Sequence, residues 1–319
     1  MSASPIKPPH VYAGSPLDRG DQVRRDENWI AAKAKDPTSK FLPLLDLNVP
    51  ILNGAHPQAP ASGDQPGLAW ISPGHLERLG VDANPVFLGL REQVAYFVVD
   101  ITGYARAAKE LQEGADCRYE DARKATEYLS GPETGIVAQA RAQVHWHNKH
   151  GFCSVCGGPT ILKRGGQVRL CPNCSTEHYP RTDPVVITVV SDAARCLLGQ
   201  SRGRLARMKT YSALAGFVDQ GESIEEAVAR EIMEEAGIKV KNIRYHSSQP
   251  WPFPSSLMIG CLADAASTEI AMDEGEMADV RWFHRGEVRL ALAGNSRELA
   301  VPGPIAIAHH LIKAWADGA

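Results

Sequence analysis

Residues 216–238 read GFVDQGESIEEAVAREIMEEAGI, and this run constrains the chain more than any other. Gly216, Glu222, Arg230, Glu231, Glu234, Glu235, Gly237 and Ile238 fall on the spacing G-x5-E-x7-R-E-U-x-E-E-x-G-U, where U is aliphatic. Ser223 followed three residues later by Glu226 is a capping box. The hydroxyl satisfies an orphan backbone N–H and the carboxylate reaches back to the cap. Gly237 closes the segment as a left-handed C-cap. The spacing predicts a helix of about three to four turns. Ile224, Val228 and Ile232 recur every four residues as a core-facing stripe. Ala227, one turn before Glu231, carries no charge, which confines the acid to Glu231, Glu234 and Glu235 on one adjoining surface.

That acidic surface is costly without a partner. Glu231 and Glu235 are one turn apart, and like charges at that spacing destabilise a bare helix by about 0.2–0.5 kcal/mol. They also lie in the C-terminal half, where the helix dipole disfavours anions. A solvated acidic face leaves both penalties standing. A bound divalent cation removes them, and Mg²⁺ and Mn²⁺ are hard ions that take carboxylate oxygens together with water and phosphate. Metal binding is therefore the favoured reading.

A second metal set lies upstream. Cys153, Cys156, Cys171 and Cys174 form C-x2-C-x14-C-x2-C, with Gly157, Gly158 and Pro172 supplying turn chemistry. Two such turns converge on a tetrahedral thiolate site, the signature of one structural Zn²⁺ per chain. Four reduced thiols packed in a core are the alternative. Cys117, Cys196 and Cys261 read as small buried hydrophobes. With four thiolates available, His145, His147, His150 and His178 are not needed as ligands and read as surface or interface residues.

At 319 residues the chain has room for two domains and a small third unit, and its 44% hydrophobic and 22% charged content is that of a globular protein. A net charge of −3 advertises no overall basic field for nucleic acid or anionic membrane. No apolar run approaches the roughly 18 residues of a spanning helix. The opening MSASPIKPPHVYAGSP lacks the charged-then-apolar order of a signal peptide, so the expectation is a cytoplasmic protein.

The expected organisation is a flexible lead-in over 1–16, an N-terminal domain over 17–148, a zinc ribbon over 149–180 and a further domain over 181–319. FLPLLDLNVPIL, AWISP and VFLGLREQVAYFVVDI read as strands, and YEDARKATEYL as the start of a helical stretch that continues beyond Gly131-Pro132. DPVVITVVSD and RCLLGQSR read as paired strands before the capped helix, with more strands near NIRYHSS, SLMIGCLADA and VRWFHR after it. IAIAHHLIKAWADG closes the chain as a helix with Pro304 suited to its first turn. Strands alternating with helices imply an α/β sandwich.

Ser248-Gln249-Pro250-Trp251-Pro252-Phe253-Pro254-Ser255-Ser256 cannot be helix, because each proline fixes its own φ and extends the residue before it. The expectation is a stiff extended loop presenting Gln249, Trp251 and Phe253, whose rings can stack on a flat heterocycle. Packing of the loop against the body is the plainer reading.

The acidic box followed by SQPWPFP resembles the NADH pyrophosphatase branch of the Nudix hydrolases, and CSVC…CPNC and HYPRTDP ahead of the box are similar to the same branch. The likeness covers about residues 149–312. It implies a Nudix α/β/α sandwich preceded by a zinc ribbon and an N-terminal α+β domain. It further implies that two or more Mg²⁺ or Mn²⁺ ions are held by Glu231, Glu235, the Ala215 carbonyl and Glu276, with Glu274 the competitor for the last place. Substrate contacts implied by the family are Tyr179, Gln249, Pro250, Trp251, Pro252, Phe253, Pro254, Ser255, Ser256 and Ala308. Glu222 and Arg230 are expected to order the loop and the carboxylates, since an arginine can bridge carboxylates bidentately.

The reaction so implied is hydrolysis of NAD(H) to NMN(H) and AMP, with Glu234 or Glu235 as proton acceptor and a homodimer as the assembly. Removal of NAD caps from RNA 5′ ends is the second expectation. A non-enzymatic ligand sensor or nucleic-acid binder built on a degenerate Nudix domain is the competing class; such a domain would lack box carboxylates that this chain retains. Arg202, Arg204 and Arg207 either steer an anionic substrate or form a solvated basic loop.

Overall fold

The structure, a computed structural model, describes residues 10–53, 67–82, 84–114 and 117–318. The chain forms two units, Met1–Arg181 with Pro252–Ser255, and Thr182–Trp251 with Ser256–Ala319. Among the described residues no helix is long and apolar enough to cross a membrane.

In the first unit the elements run α1 (Glu27–Lys35), β1 (Lys40–Leu44), β2 (Val49–Leu52), α2 (Pro73–Arg78), β3 (Val86–Arg91), β4 (Val94–Asp100), α3 (Ala105–Gly114), β5 (Cys117–Glu120), α4 (Ala122–Ala125), α5 (Gly131–Lys149), β6 (Ile161–Lys163), β7 (Val168–Leu170) and β8 (Glu177–His178). β1 lies parallel to β4, which pairs antiparallel with β3. Strand side chains alternate between faces, and both faces here are apolar. Leu42, Leu44, Leu88 and Val98 pack with Ile136, Val137, Ala140 and Val144 of α5. Phe41, Phe87, Phe97 and Val99 pack with Ala107, Ala108 and Leu111 of α3. Each buried Leu, Ile, Val or Phe side chain among them stabilises by about 1.5–3 kcal/mol.

Several expectations are corrected by the fold. AWISP is not a strand: Leu68 and Ile71 make isolated bridges to Ile51 and Phe41, and Ser72 then caps α2. YEDARKATEYL gives a four-residue helix, α4, and α5 starts afresh from a Ser130–Glu133 capping box. Residues 1–9 lie outside the described residues, but residues 10–16 are no loose lead-in. Tyr12 is buried, its N–H donating to Thr134 Oγ1 at 2.9 Å and its hydroxyl to the Ala122 carbonyl at 2.9 Å.

The second unit runs β9 (Asp183–Ser191), β10 (Arg195–Ser201), α6 (Arg204–Arg207), β11 (Leu214–Phe217), α7 (Ile224–Ala236), β12 (Val240–Trp251), β13 (Ser256–Ala265), β14 (Met277–His284), α8 (Arg285–Leu292) and α9 (Ile307–Asp317). Its sheet has the order β12-β13-β9-β10-β14, with β11 also paired to β9. Val186 and Val190 face α7 through Val228 and Ile232, while Ile187 and Val189 face Leu311, Ile312 and Trp315 of α9. Helices on both faces of one sheet make the α/β/α sandwich.

Two local readings change. SQPWPFPSS is not a free loop: Gln249 pairs with Met258 and Trp251 with Ser256, so the segment is the end of β12 and the turn of a β-hairpin. Proline cannot donate to a strand ladder, yet Pro250 is accommodated within the paired strand. Pro304 lies ahead of α9, whose N-cap is Ala306.

Candidate metal centres

α7 forms as its sequence dictates. The Ser223 hydroxyl accepts from Glu226 N–H at 3.2 Å, the Glu226 carboxylate accepts from Ser223 N–H at 2.7 Å, and Gly237 ends the helix at φ 69°. Val228 and Ile232 are buried, with Ala227 and Ala236 beside them. That anchoring turns the glutamates toward β11.

Gly216, on β11, explains itself by close approach. A Cβ there would fall 1.9 Å from Glu231 Cδ, so the Glu231 carboxylate occupies the space a side chain would fill. Arg230 is the hub of the cluster. Its Nε and Nη2 donate to the two oxygens of Glu222 at 2.6 and 2.7 Å, and Nη1 donates to Glu231 and Glu234, each at 2.9 Å. Nη2 also reaches the Phe217 carbonyl at 2.8 Å. This bidentate grip holds the Glu222 carboxyl down at about 2, through the Arg230 bonds first and the Asp219 N–H second.

Glu235 is the odd member. It is 7% exposed, and its Oε2 is buried without a hydrogen-bond partner. Burial pushes its carboxyl up to about 8, the charges of Glu231 and then Glu276 add to the rise, and a backbone hydrogen bond from Ala215 opposes it. Glu231 is raised as well, by burial first, against the pull of Arg230. Glu276 is among the charges acting on both. Arg230 forms ion pairs with Glu222, Glu231 and Glu234.

An excess of carboxylate around an orphaned buried oxygen is the donor set that a hard divalent cation satisfies. The carboxylates are not drawn into a tight knot. Among the described residues, the ligand group whose atoms all lie within 4.8 Å of one another is the four cysteines.

Those thiols come from two matching turns. Cys153 N–H donates to the Gly158 carbonyl at 2.8 Å and Cys171 N–H to the Thr176 carbonyl at 3.0 Å. Cys153 and Cys174 Sγ are 3.6 Å apart, and Cys156 and Cys171 Sγ 3.4 Å. A tetrahedron with 2.3 Å zinc–sulfur bonds has edges of about 3.8 Å, so the residues fit Zn²⁺. A hydrogen bond with Thr176 lowers the Cys174 thiol to about 6, and Asn173 Nδ2, donating at 3.4 Å, lowers Cys156. His178 stands 3.2 Å from Cys153 Sγ, close to the centre rather than remote from it. His147 is also no surface residue: its Nε2 donates to the Gly166 carbonyl at 2.9 Å, and Nδ1 accepts from Arg169 at 3.1 Å. Burial, with Arg169 adding, lowers its pKa to about 4.

The expected substrate contacts scatter. Tyr179 is exposed, its hydroxyl donating to Glu177. Gln249 is fully buried, Nε2 donating to the Ile305 carbonyl at 2.8 Å and Oε1 accepting from Ile307 N–H at 2.8 Å. Ala308 is 3% exposed among the apolar residues beneath α9. Pro250 and Trp251 end β12, Pro252–Ser255 form the hairpin turn, and Ser256 opens β13. In the first unit Phe253 lies 3.5 Å below the Arg123 guanidinium, 5.0 Å from that of Arg141 and edge-on to Tyr12. Sequence reasoning passed over Phe217, which is 59% exposed directly after Gly216 and Ala215 on β11. Its signal was an aromatic at a strand end beside the box glycine.

Comparison with known proteins agrees with this geometry. Residues 180–301 match the NUDIX domain, 148–179 the NADH pyrophosphatase zinc ribbon domain, and 46–146 the NADH pyrophosphatase-like rudimentary NUDIX domain. The NAD-capped RNA hydrolase NUDT12 of Homo sapiens is 38% identical over 96% of this chain and 73% of its own length. The mitochondrial NAD(P)H pyrophosphatase NUDT13 of Mus musculus is 38% identical over 93% of this chain and 89% of its own. The NAD-capped RNA hydrolase NudC of Mycobacterium bovis is 42% identical over 61% of this chain and 64% of its own. With the box, ribbon and sandwich in place and relatives matched over most of their length, this chain belongs to the Nudix hydrolase family.

Proposed function

We propose that this protein hydrolyses the pyrophosphate bond of NAD(H), giving NMN(H) and AMP, and removes NAD caps from RNA 5′ ends. The observation that carries the reading is Glu235, a buried carboxyl with an unpartnered oxygen beside Glu231 and within the field of Glu276. Family membership makes the required ion Mg²⁺ or Mn²⁺, and the ribbon takes Zn²⁺. When bound, the divalent ions neutralise pyrophosphate charge and lower the pKa of water.

The chain's own residues do the rest. Glu231, Glu235, Glu276 and the Ala215 carbonyl would hold the ions, and Arg230 orients Glu222, Glu231 and Glu234 around them. The Glu234 side chain is 55% exposed, whereas Glu235 is buried with an oxygen to spare. That division favours Glu234 for the proton of the attacking water and Glu235 for the ion. Phe217 and Trp251 offer rings for flat bases, which stack on aromatic faces. Gln249 and Ala308 contribute by fixing the elements that line the site.

The names of the relatives support both substrates. Homodimerisation and a cytoplasmic location belong to the same proposal; light scattering and cell fractionation test them. The deciding experiment is product analysis with NADH and Mg²⁺, alongside Glu231→Gln and Glu235→Gln. Formation of NMNH and AMP, lost by about 10²–10³-fold in either variant, is the expected outcome. Full turnover by both variants overturns the metal assignment, and no turnover by the native protein favours the degenerate-domain alternative. Rates on NAD-capped RNA across a salt titration then rank the two substrates, since backbone contacts weaken steeply with salt.

A further inference from the structure

The turn that carries Glu276 is fixed from two sides. On the helix side, Ala271 N–H donates to the Ala236 carbonyl at 2.9 Å and Asp273 N–H to the Glu235 carbonyl at 3.4 Å, extending the last turn of α7. Within the turn, Asp273 Oδ1 accepts from Gly275 N–H at 2.7 Å, and its carbonyl accepts from Glu276 and Met277 N–H at 3.3 and 2.9 Å. On the far side the β10–β14 register slips: Gln200 faces Asp279 but Ser201 faces Met277, leaving Ala278 as a bulge. Bulges beside active sites bend a strand and re-aim the side chains next to them.

The slip delivers Arg202 to the turn. Its backbone N–H donates to the Glu276 carbonyl at 2.8 Å, and its Nε donates to the Glu274 carbonyl at 2.6 Å. Among the described residues the Arg202 guanidinium has no carboxylate partner; its charge is spent on a neutral main-chain oxygen. That contact does little to balance charge, but together with the Arg202 N–H it fixes the Glu274–Gly275 and Glu276–Met277 peptide units.

We propose that Arg202 is a positioning residue for Glu276, holding the 273–277 turn so that its carboxylate faces Glu231 and Glu235. The inference rests on the reading of Glu276 as a metal ligand. It differs from electrostatic steering in a way the chemistry separates. Steering depends on charge alone, survives exchange for lysine and fades with salt. Positioning needs the planar Nε donor at its place, which lysine lacks.

Arg202→Ala and Arg202→Lys are therefore compared with the native protein. Mn²⁺ binding is read by electron paramagnetic resonance without nucleotide, and amide exchange over 273–277 is read in magnesium-free buffer. Both variants are expected to weaken Mn²⁺ binding by about 10-fold, as loss of a group that orients a ligand does, and to speed exchange in the turn. The Mg²⁺ midpoint of turnover rises in step while the rate at saturating metal is retained. Arg207→Ala, which removes a charge five residues along the same segment, leaves the Mn²⁺ affinity in place. Native Mn²⁺ affinity and native exchange in Arg202→Lys overturn the proposal in favour of charge alone. Faster exchange in both variants, with no Mn²⁺ bound even by the native protein, upholds the tether and sinks the metal-ligand reading beneath it.

Discussion

The four ribbon thiols and the five carboxyls Glu222, Glu231, Glu234, Glu235 and Glu276 are both gatherings of like charge, and the protein holds them in opposite ways. The cysteines sit on two matching turns with their sulfurs already near tetrahedral spacing, and backbone bonds hold them there. Three of the glutamates project from a helix whose core-facing stripe is packed, and a single arginine bridges Glu222, Glu231 and Glu234. One set is closed, as a structural ion requires; the other leaves an oxygen unpartnered and a side chain open to solvent, as an ion that must also meet a substrate requires. Rigidity of the ligands matches the task of the ion.

The largest expected effect breaks the closed set. A structural zinc in such ribbons contributes on the order of 10 kcal/mol to folding of its module. Cys171→Ser should therefore lower zinc content from one per chain to near zero and open residues 151–179 to proteolysis, read by elemental analysis and limited digestion. Digestion that stays at the native rate would mean that the ribbon stands without its ion.

The open set should respond through geometry. Gly216→Ala puts a methyl group where the Glu231 carboxylate lies, 1.9 Å from its Cδ. Either the carboxylate swings away or β11 shifts, and Mn²⁺ affinity falls by about 10-fold or more with little change in zinc content. Isothermal titration and elemental analysis on the same sample check both halves.

A further test of the open set sharpens the contrast through pH. Glu235 binds its proton more tightly when folded, with a pKa of about 8 against 4.5 for the free side chain. Its contribution is present at low pH and is lost as pH rises from 4.5 through 8, with a limiting slope of about 1.4 kcal/mol per pH unit. In magnesium-free buffer the melting temperature of the second unit should decline over that window, and Glu235→Gln should flatten the decline. Added Mg²⁺ should reverse it by replacing the proton. A melting temperature that climbs between about pH 5 and 8 without Mg²⁺ would contradict the burial of this carboxyl.

The capped box helix and the four-cysteine cluster were legible in the sequence because local rules place them: a capping box, a four-residue apolar spacing and paired C-x2-C turns act within a few residues. So was the α/β sandwich, through strands alternating with helices, while its α/β/α layering came from the family resemblance. What sequence missed depends on contacts across long separations. The hairpin nature of SQPWPFPSS rests on pairing with residues 256–258, which overrides the local reluctance of proline. The order in residues 10–16 rests on a threonine more than one hundred residues away. His147 reads as a surface histidine until Gly166 and Arg169 close over both ring nitrogens. Arg202 reads as a basic loop residue because main-chain carbonyls as partners leave no trace in side-chain spacing.

Gln249 carries a consequence for anyone reshaping this protein's choice of dinucleotide. Helix α9 starts at Ala306 without a capping side chain of its own and borrows both halves of one amide from a distant strand. Leaving those buried main-chain groups bare costs about 1–3 kcal/mol each. A library that randomises the whole SQPWPF stretch would thus discard most members through a loosened scaffold, whatever their pockets prefer. Varying Trp251 while keeping the glutamine confines the diversity to the ring proposed to stack on a base.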